Sequence, residues 1–148
     1  MKAFLDTNIF IEYIFERNQF LSVQRIFQAI ESKQIEAITS TATFYTLAYL
    51  SEQMLKRKGY HRPELTEQVR MIIRSMLQLV HIGDMEQADL EIGVNDDSFP
   101  DIEDSFQYHC ALKNRCDYLL TINVGDFSKA QKTTTEVLAP NDFVEKIL

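Results

Sequence analysis

The sequence predicts an α/β protein with a parallel central sheet and helices on both of its faces. Two observations carry this. Short apolar runs, too short to be helices, recur along the chain, and segments of helical periodicity lie between them. Strands separated by helical crossovers pair in parallel and are covered from both sides.

The elements follow in order. Lys2–Leu5 is apolar and short, a buried strand. Asp6, Thr7 and Asn8 are cap-type residues, after which Ile9, Phe10, Tyr13 and Ile14 fall at helical spacing. Phe20, Val23, Phe27 and Ile30 mark an amphipathic helix ending near Lys33, and Ile35–Thr39 is a second strand. Ser40 and Thr41 open a helix carrying Phe44, Leu47, Ala48 and Leu50 to about Lys58, where Gly59 stops it. Pro63 stands in the first turn of the next helix, with Leu65, Val69, Ile72, Ile73, Met76 and Leu77 apolar. Leu79–Ile82 is a third strand, 85–94 a short helix and 95–100 a loop. A helix over 101–114 leads to the strand DYLLT at 117–121. Glu136–Leu138 is another strand candidate, and Pro140 and Asn141 open a last helix through Leu148.

Composition bounds the function. The 148 residues suit one domain, 1–148, and 45% hydrophobic with 25% charged residues is ordinary for a globular fold. Ten Phe and six Tyr fill a core, and neither an internal repeat nor a low-complexity segment is present. The net charge of −7 excludes a protein that grips nucleic acid through its overall field, so any contact with phosphates is local or cation-mediated. Cys110 and Cys116, six apart in an apparent helix, read as free buried thiols of a reducing compartment. The N-terminus MKAFLDTN is not a signal peptide and no apolar run approaches the roughly 18 residues of a membrane span, so a cytoplasmic location is expected.

In open parallel sheets, ligands bind beyond the carboxyl ends of the strands. Asp6 follows the first strand directly. Asp126 follows the DYLLT strand, and Asp101, Glu103 and Asp104 start a helix. Each has a local explanation: Asp6 as a helix cap, Asp101 and Asp104 as a capping pair, Asp126 as a turn residue. Local explanations do not account for several carboxylates on one predicted edge. Like charges about 4 Å apart repel by roughly 4 kcal/mol at an effective dielectric of 20. A divalent cation removes that repulsion, and all-oxygen ligands suit Mg²⁺ or Mn²⁺, ions that serve phosphodiester hydrolysis. Thr7 and Asn8 stand where they orient Asp6.

Three segments in this order, LDTN at 5–8, PDIEDSFQYHCAL at 100–112 and DYLLTINVGDF at 117–127, resemble the PIN domain, and most of all the bacterial branch found as toxins of VapBC-type toxin–antitoxin pairs. The resemblance implies a three-layer α/β/α sandwich, Mg²⁺- or Mn²⁺-dependent endoribonuclease activity leaving a 5′-phosphate and a 3′-hydroxyl, a homodimer, and an antitoxin whose tail enters the acidic cleft. It assigns catalytic and metal-binding roles to Asp6 and Asp104, with Asp101 an additional acid and the fourth ligand from the segment holding Asn123 and Asp126. Glu103 and Thr121 fall among the site-lining positions. One departure stands out: where the family carries a Glu, one and a half turns into the helix after the second strand, this chain has Thr46. A neutral hydroxyl is a poor metal ligand, which keeps open a second reading as a catalytically weak or inactive partner-binding module.

Lys56, Arg57, Lys58 and Arg62, interleaved with Tyr60 and His61, form the one dense basic stretch, either an RNA contact or a solvated helix end. Tyr45 and Tyr49, at helical spacing with Phe44, read as core or dimer contacts. His61, His81 and His109 lack zinc spacing, and His109 reads as structural. A haloacid-dehalogenase-type phosphatase needs a second Asp two residues after the first, where this chain has Asn8, and no mid-chain Asp is placed for a phospho-receiver.

Overall fold

The computed structural model describes residues 1–148. Five strands, β1 (Lys2–Leu5), β2 (Glu36–Thr39), β3 (His81–Ile82), β4 (Tyr118–Leu120) and β5 (Glu136–Leu138), form one sheet in the order β3-β2-β1-β4-β5. Every pairing is parallel. Seven helices complete the fold: α1 (Thr7–Ile14), α2 (Phe20–Glu31), α3 (Thr41–Arg57), α4 (Glu64–Leu77), α5 (Gln87–Val94), α6 (Ile102–Lys113) and α7 (Pro140–Lys146).

The two-residue alternation of a strand splits the apolar side chains between the faces. Ala3, Leu5, Ala37, Leu120 and Leu138 face one layer, where Ile9 and Phe10 of α1, Val23 and Phe27 of α2, Leu47 of α3 and Phe143 of α7 close a core. Phe4, Ile38 and Leu119 face the other, with Tyr108, Cys110 and Ala111 of α6 and Phe127. Both faces being covered explains why the strands read as continuous apolar runs. Phe4, Phe10, Phe27 and Phe143 are fully buried, each worth about 1.5–3 kcal/mol of burial. The arrangement is the expected α/β/α sandwich.

Topology positions the site. The chain leaves the central strand β1, builds outward through β2 to β3, then returns to lay β4 on the other side of β1. That reversal opens a crevice beyond the carboxyl ends of β1 and β4. Register then decides who meets there: Leu5 pairs with Leu120, so Asp6 and Thr121 emerge side by side.

Some expectations need correction. β3 is only His81–Ile82, because β2 offers it just two partners, Ile38 and Thr39; Leu79 and Val80 precede the ladder. A short 3₁₀ turn over Val124–Phe127 had no signal in the sequence. Cys116 lies beyond the end of α6 rather than within it. Both thiols are free and buried, as expected, and burial pushes Cys110 up to about 11 and Cys116 up to about 12. Tyr45 and Tyr49 are not core: they stand 77% and 63% exposed on α3. Gly59 (φ 93) ends α3 in the left-handed region, as its position suggested. No helix is long and apolar enough to cross a membrane.

Candidate active site

Asp6 is the N-cap of α1 and also the floor of a cleft of about 300 Å³. Its Oδ1 accepts the Thr7 N–H at 2.7 Å. Its Oδ2 accepts the Asn8 amide at 2.7 Å and the Thr121 hydroxyl at 2.7 Å. A carboxylate offers about four lone-pair directions, so three bonds leave one open, on Oδ1. Thr121 is held in turn by Asn8 Nδ2 (3.0 Å) and the Asn123 N–H (3.1 Å), and Asn8 Oδ1 accepts the Ile122 N–H at 3.1 Å. Asp6 is therefore clamped between the end of β1 and the end of β4. The capping role and the cleft role coexist in one side chain.

The start of α6 supplies the next acids. Asp101 is its N-cap, accepting the Glu103 N–H at 2.7 Å, so the capping expectation holds for it too. Asp104 sits in the first helical turn, where its charge complements the helix dipole, and no protein hydrogen-bond donor reaches its carboxylate. Asp101, Glu103 and Asp104 line the cleft with Asp6, and Asn123 and Asp126 join them from the segment after β4. Thr7, Asn8 and Thr46 line it as well. Thr121 supports it from beneath, fully buried.

Convergence has an electrostatic signature. Partial burial, then the carboxylates of Asp6, Asp101, Asp126 and Glu103, push Asp104 up to about 7 from an ordinary 3.8. Burial, then Asp6 and Asp101, raises Glu103. Burial raises Asp6 against the lowering effect of its hydrogen bonds. Thr46 adds no charge.

The donors are hard oxygens throughout. No group of three or more His, Cys, Asp or Glu side chains is arranged to enclose an ion by direct ligation alone. This set fits an ion such as Mg²⁺, which keeps several waters and takes one or two carboxylates, better than an all-protein cage. The open direction on Asp6 faces a cleft in which the carboxylates of Glu103, Asp104 and Asp126 have no protein partner and Asp101 is engaged through Oδ1 alone, so free donor oxygens come from all three segments.

Two features escaped the sequence. A buried polar tie lies under the cleft: Gln107 Oε1 accepts the Ser40 hydroxyl at 2.6 Å, and its Nε2 donates to Thr43 Oγ1 at 2.9 Å and to Thr7 Oγ1 at 3.4 Å. It links α6, α3 and α1. A glutamine breaking the apolar face of α6 one turn after Asp104 was the available signal. The second is Arg17, on the rim of the cleft, for which the sequence carried no signal.

The basic stretch stands outside the cleft. Glu52 pairs with Lys56 at 2.6 Å and Arg62 at 3.0 Å, and Lys58 lies over the Phe15 ring at 5.6 Å. Arg57 and Tyr60 are exposed beside them. His109 bonds Asp96 at 2.8 Å and ties the loop before α6 to that helix, a structural role as expected.

The PIN domain family model matches residues 2–125. Ribonuclease VapC1 of Aquifex aeolicus (strain VF5) is 26% identical over 148 residues, covering 98% of this chain and 94% of that protein. A solved structure described as VapBC2 from Rickettsia felis bound to a DNA fragment from their promoter shares the fold, with a TM-score of 0.66 at 16% identity over 94% of this chain and 98% of that one. A strand-end aspartate beside the start of a late acidic helix is what the three sequence segments anticipated, and with the match across most of its length the chain belongs to the PIN domain family.

Proposed function

We propose that this chain, acting as one PIN-like unit, is a divalent-cation-dependent endoribonuclease and the toxin of a VapBC-type pair. The observation that supports it most is that carboxylates from three separate segments, Asp6, the Asp101–Asp104 turn and Asp126, line one cleft. The relative named ribonuclease VapC1 and the VapBC2 assembly favour the same reading.

Asp6 and Asp104 would hold Mg²⁺ or Mn²⁺, with Asp101 and the Asn123–Asp126 segment reaching it directly or through water. When bound, the ion supplies charge neutralisation, polarisation of the scissile phosphodiester and a more acidic attacking water. The chain's own contribution is position. Thr7, Asn8 and Thr121 fix the Asp6 carboxylate at the strand end, and the α6 N-terminus fixes Asp104 opposite it. Hydrolysis would leave a 5′-phosphate and a 3′-hydroxyl. The partners in this reading are RNA, an antitoxin protein and a second copy of the chain, in the cytoplasm.

Thr46 favours a second reading, a weak or inactive binding module, since it places a neutral hydroxyl in the cleft. Incubation with RNA in Mg²⁺, Mn²⁺ or EDTA separates the two. Cation-dependent cleavage abolished by Asp6→Asn and by Asp104→Asn supports the nuclease. Cleavage that survives both substitutions rules out this mechanism, and no cleavage by the unaltered protein favours the binding module.

A further inference from the structure

One cation lines the acidic cleft. Every other lining residue is acidic, neutral polar or aliphatic; Arg17 alone is basic. Its placement is built into the fold. Glu12 is 3% exposed on α1, and its Oε2 accepts the Gln19 N–H at 2.8 Å. Its Oε1 faces Arg17 Nε at 3.7 Å, and its backbone carbonyl accepts the Arg17 N–H at 3.0 Å. Glu16, at φ 47, turns the chain back so that Arg17 meets this buried carboxylate. A buried acid, hydrogen-bonded to the Gln19 backbone through one oxygen and in ion-pair range of Arg17 through the other, acts here as a bracket for one arginine.

The bracket leaves the working end free. Arg17 is engaged through Nε, its side chain is 53% exposed, and it forms no ion pair with Asp6, Asp101, Asp104 or Asp126. It therefore does not neutralise the cleft acids. A guanidinium fork with two free Nη groups matches a phosphate in bidentate fashion. Asp6 precedes α1 and Arg17 follows it, so the length of an eight-residue helix, about 12 Å, separates their backbones. That span suits a phosphate next to the scissile one rather than the scissile group itself. Lys58, outside the cleft, lies over the ring of Phe15, two residues before Arg17.

We propose that Arg17, bracketed by Glu12, anchors a backbone phosphate of the RNA flanking the bond to be cut. The inference rests on the nuclease reading and adds to it a basic residue of the chain that meets the substrate's backbone beside the acidic site.

The test is equilibrium binding of a labelled stem–loop RNA in Mg²⁺, with cleavage blocked by Asp104→Asn as the parent. Affinity is read across a salt series, and folding is checked by circular dichroism. Arg17→Gln should weaken binding about 5- to 10-fold and flatten the slope of log K against log salt by about 0.7, one single-strand phosphate contact. Arg17→Lys should keep the slope and lose part of the affinity, because the charge remains and the fork does not; it carries the test if Arg17→Gln fails to fold. Arg25→Gln, on the exposed side of α2 away from the cleft, should match the parent. Unchanged affinity and slope in Arg17→Gln, or an equal loss in Arg25→Gln, overturns the anchor while leaving the nuclease reading in place. A parent that binds no RNA overturns the anchor, whereas the nuclease reading is judged separately by cation-dependent cleavage in the unaltered protein.

Discussion

Asp104 stands against its neighbours without a hydrogen bond to compensate, so removing its charge should stabilise the metal-free protein. The perturbation is Asp104→Asn, which keeps shape and volume. With the Asp104 carboxyl pushed up from 3.8 to about 7, the folded chain holds a proton that the unfolded chain releases between those values. The unfolded state binds fewer protons in that window, so stability falls as pH rises from about 4 to 7 and stays low above it. Three units correspond to a ceiling of about 4 kcal/mol. Asp104 is only partly buried, so solvent screening leaves about 1–2 kcal/mol. Losing a first-turn carboxylate from α6 takes back about 0.3–1 kcal/mol. The net gain, about 1 kcal/mol, raises the melting temperature of a chain this size by about 2–4 °C. The assay is thermal unfolding at pH 8 in EDTA. Added Mg²⁺ should raise the unaltered protein and leave the variant nearly unmoved, reversing their order. A variant that melts lower than the unaltered protein in EDTA refutes the reasoning.

Other outcomes follow from the same geometry. Thr46→Glu restores a carboxylate to the cleft; it should lower stability in EDTA by about 1 kcal/mol through like-charge repulsion and raise the affinity for Mn²⁺, measured by titration calorimetry. Gln107→Leu strips the Ser40 and Thr43 hydroxyls of their shared partner and should cost about 1–3 kcal/mol in urea unfolding. It should also lower cleavage, since α6 loses its tie to α1 and α3. Cys110 and Cys116, buried and with pKa values near 11 and 12, should resist a thiol reagent in the folded protein and react with it in urea.

The strands and helix order were legible because a doubly covered parallel sheet leaves an unmistakable pattern: apolar runs such as AFL and YLL, each followed by a periodic segment. The acids were legible for a related reason. Asp6 ends a strand and Asp104 starts a helix, and in a parallel sheet those two places share an edge. β3 was overextended because apolar character at Leu79 and Val80 reports burial, not pairing, and only the two-residue ladder to β2 decides where the strand begins. Arg17 was invisible because its position depends on a turn through Glu16 and on a carboxylate, Glu12, buried by tertiary packing. For Tyr45 and Tyr49, helical spacing gave a common face but did not place it in the core: both stand exposed on α3.

The central claim is that side chains distant in sequence act on one shared ion. Titration of Mn²⁺ into the protein, followed by water-proton relaxation, tests it most directly when made with Asp6→Asn, Asp104→Asn and the double variant. Each single substitution should remove most of the affinity and the double little more, because the two carboxylates serve the same ion. Retained affinity in either single variant, or losses that simply add, would contradict the claim.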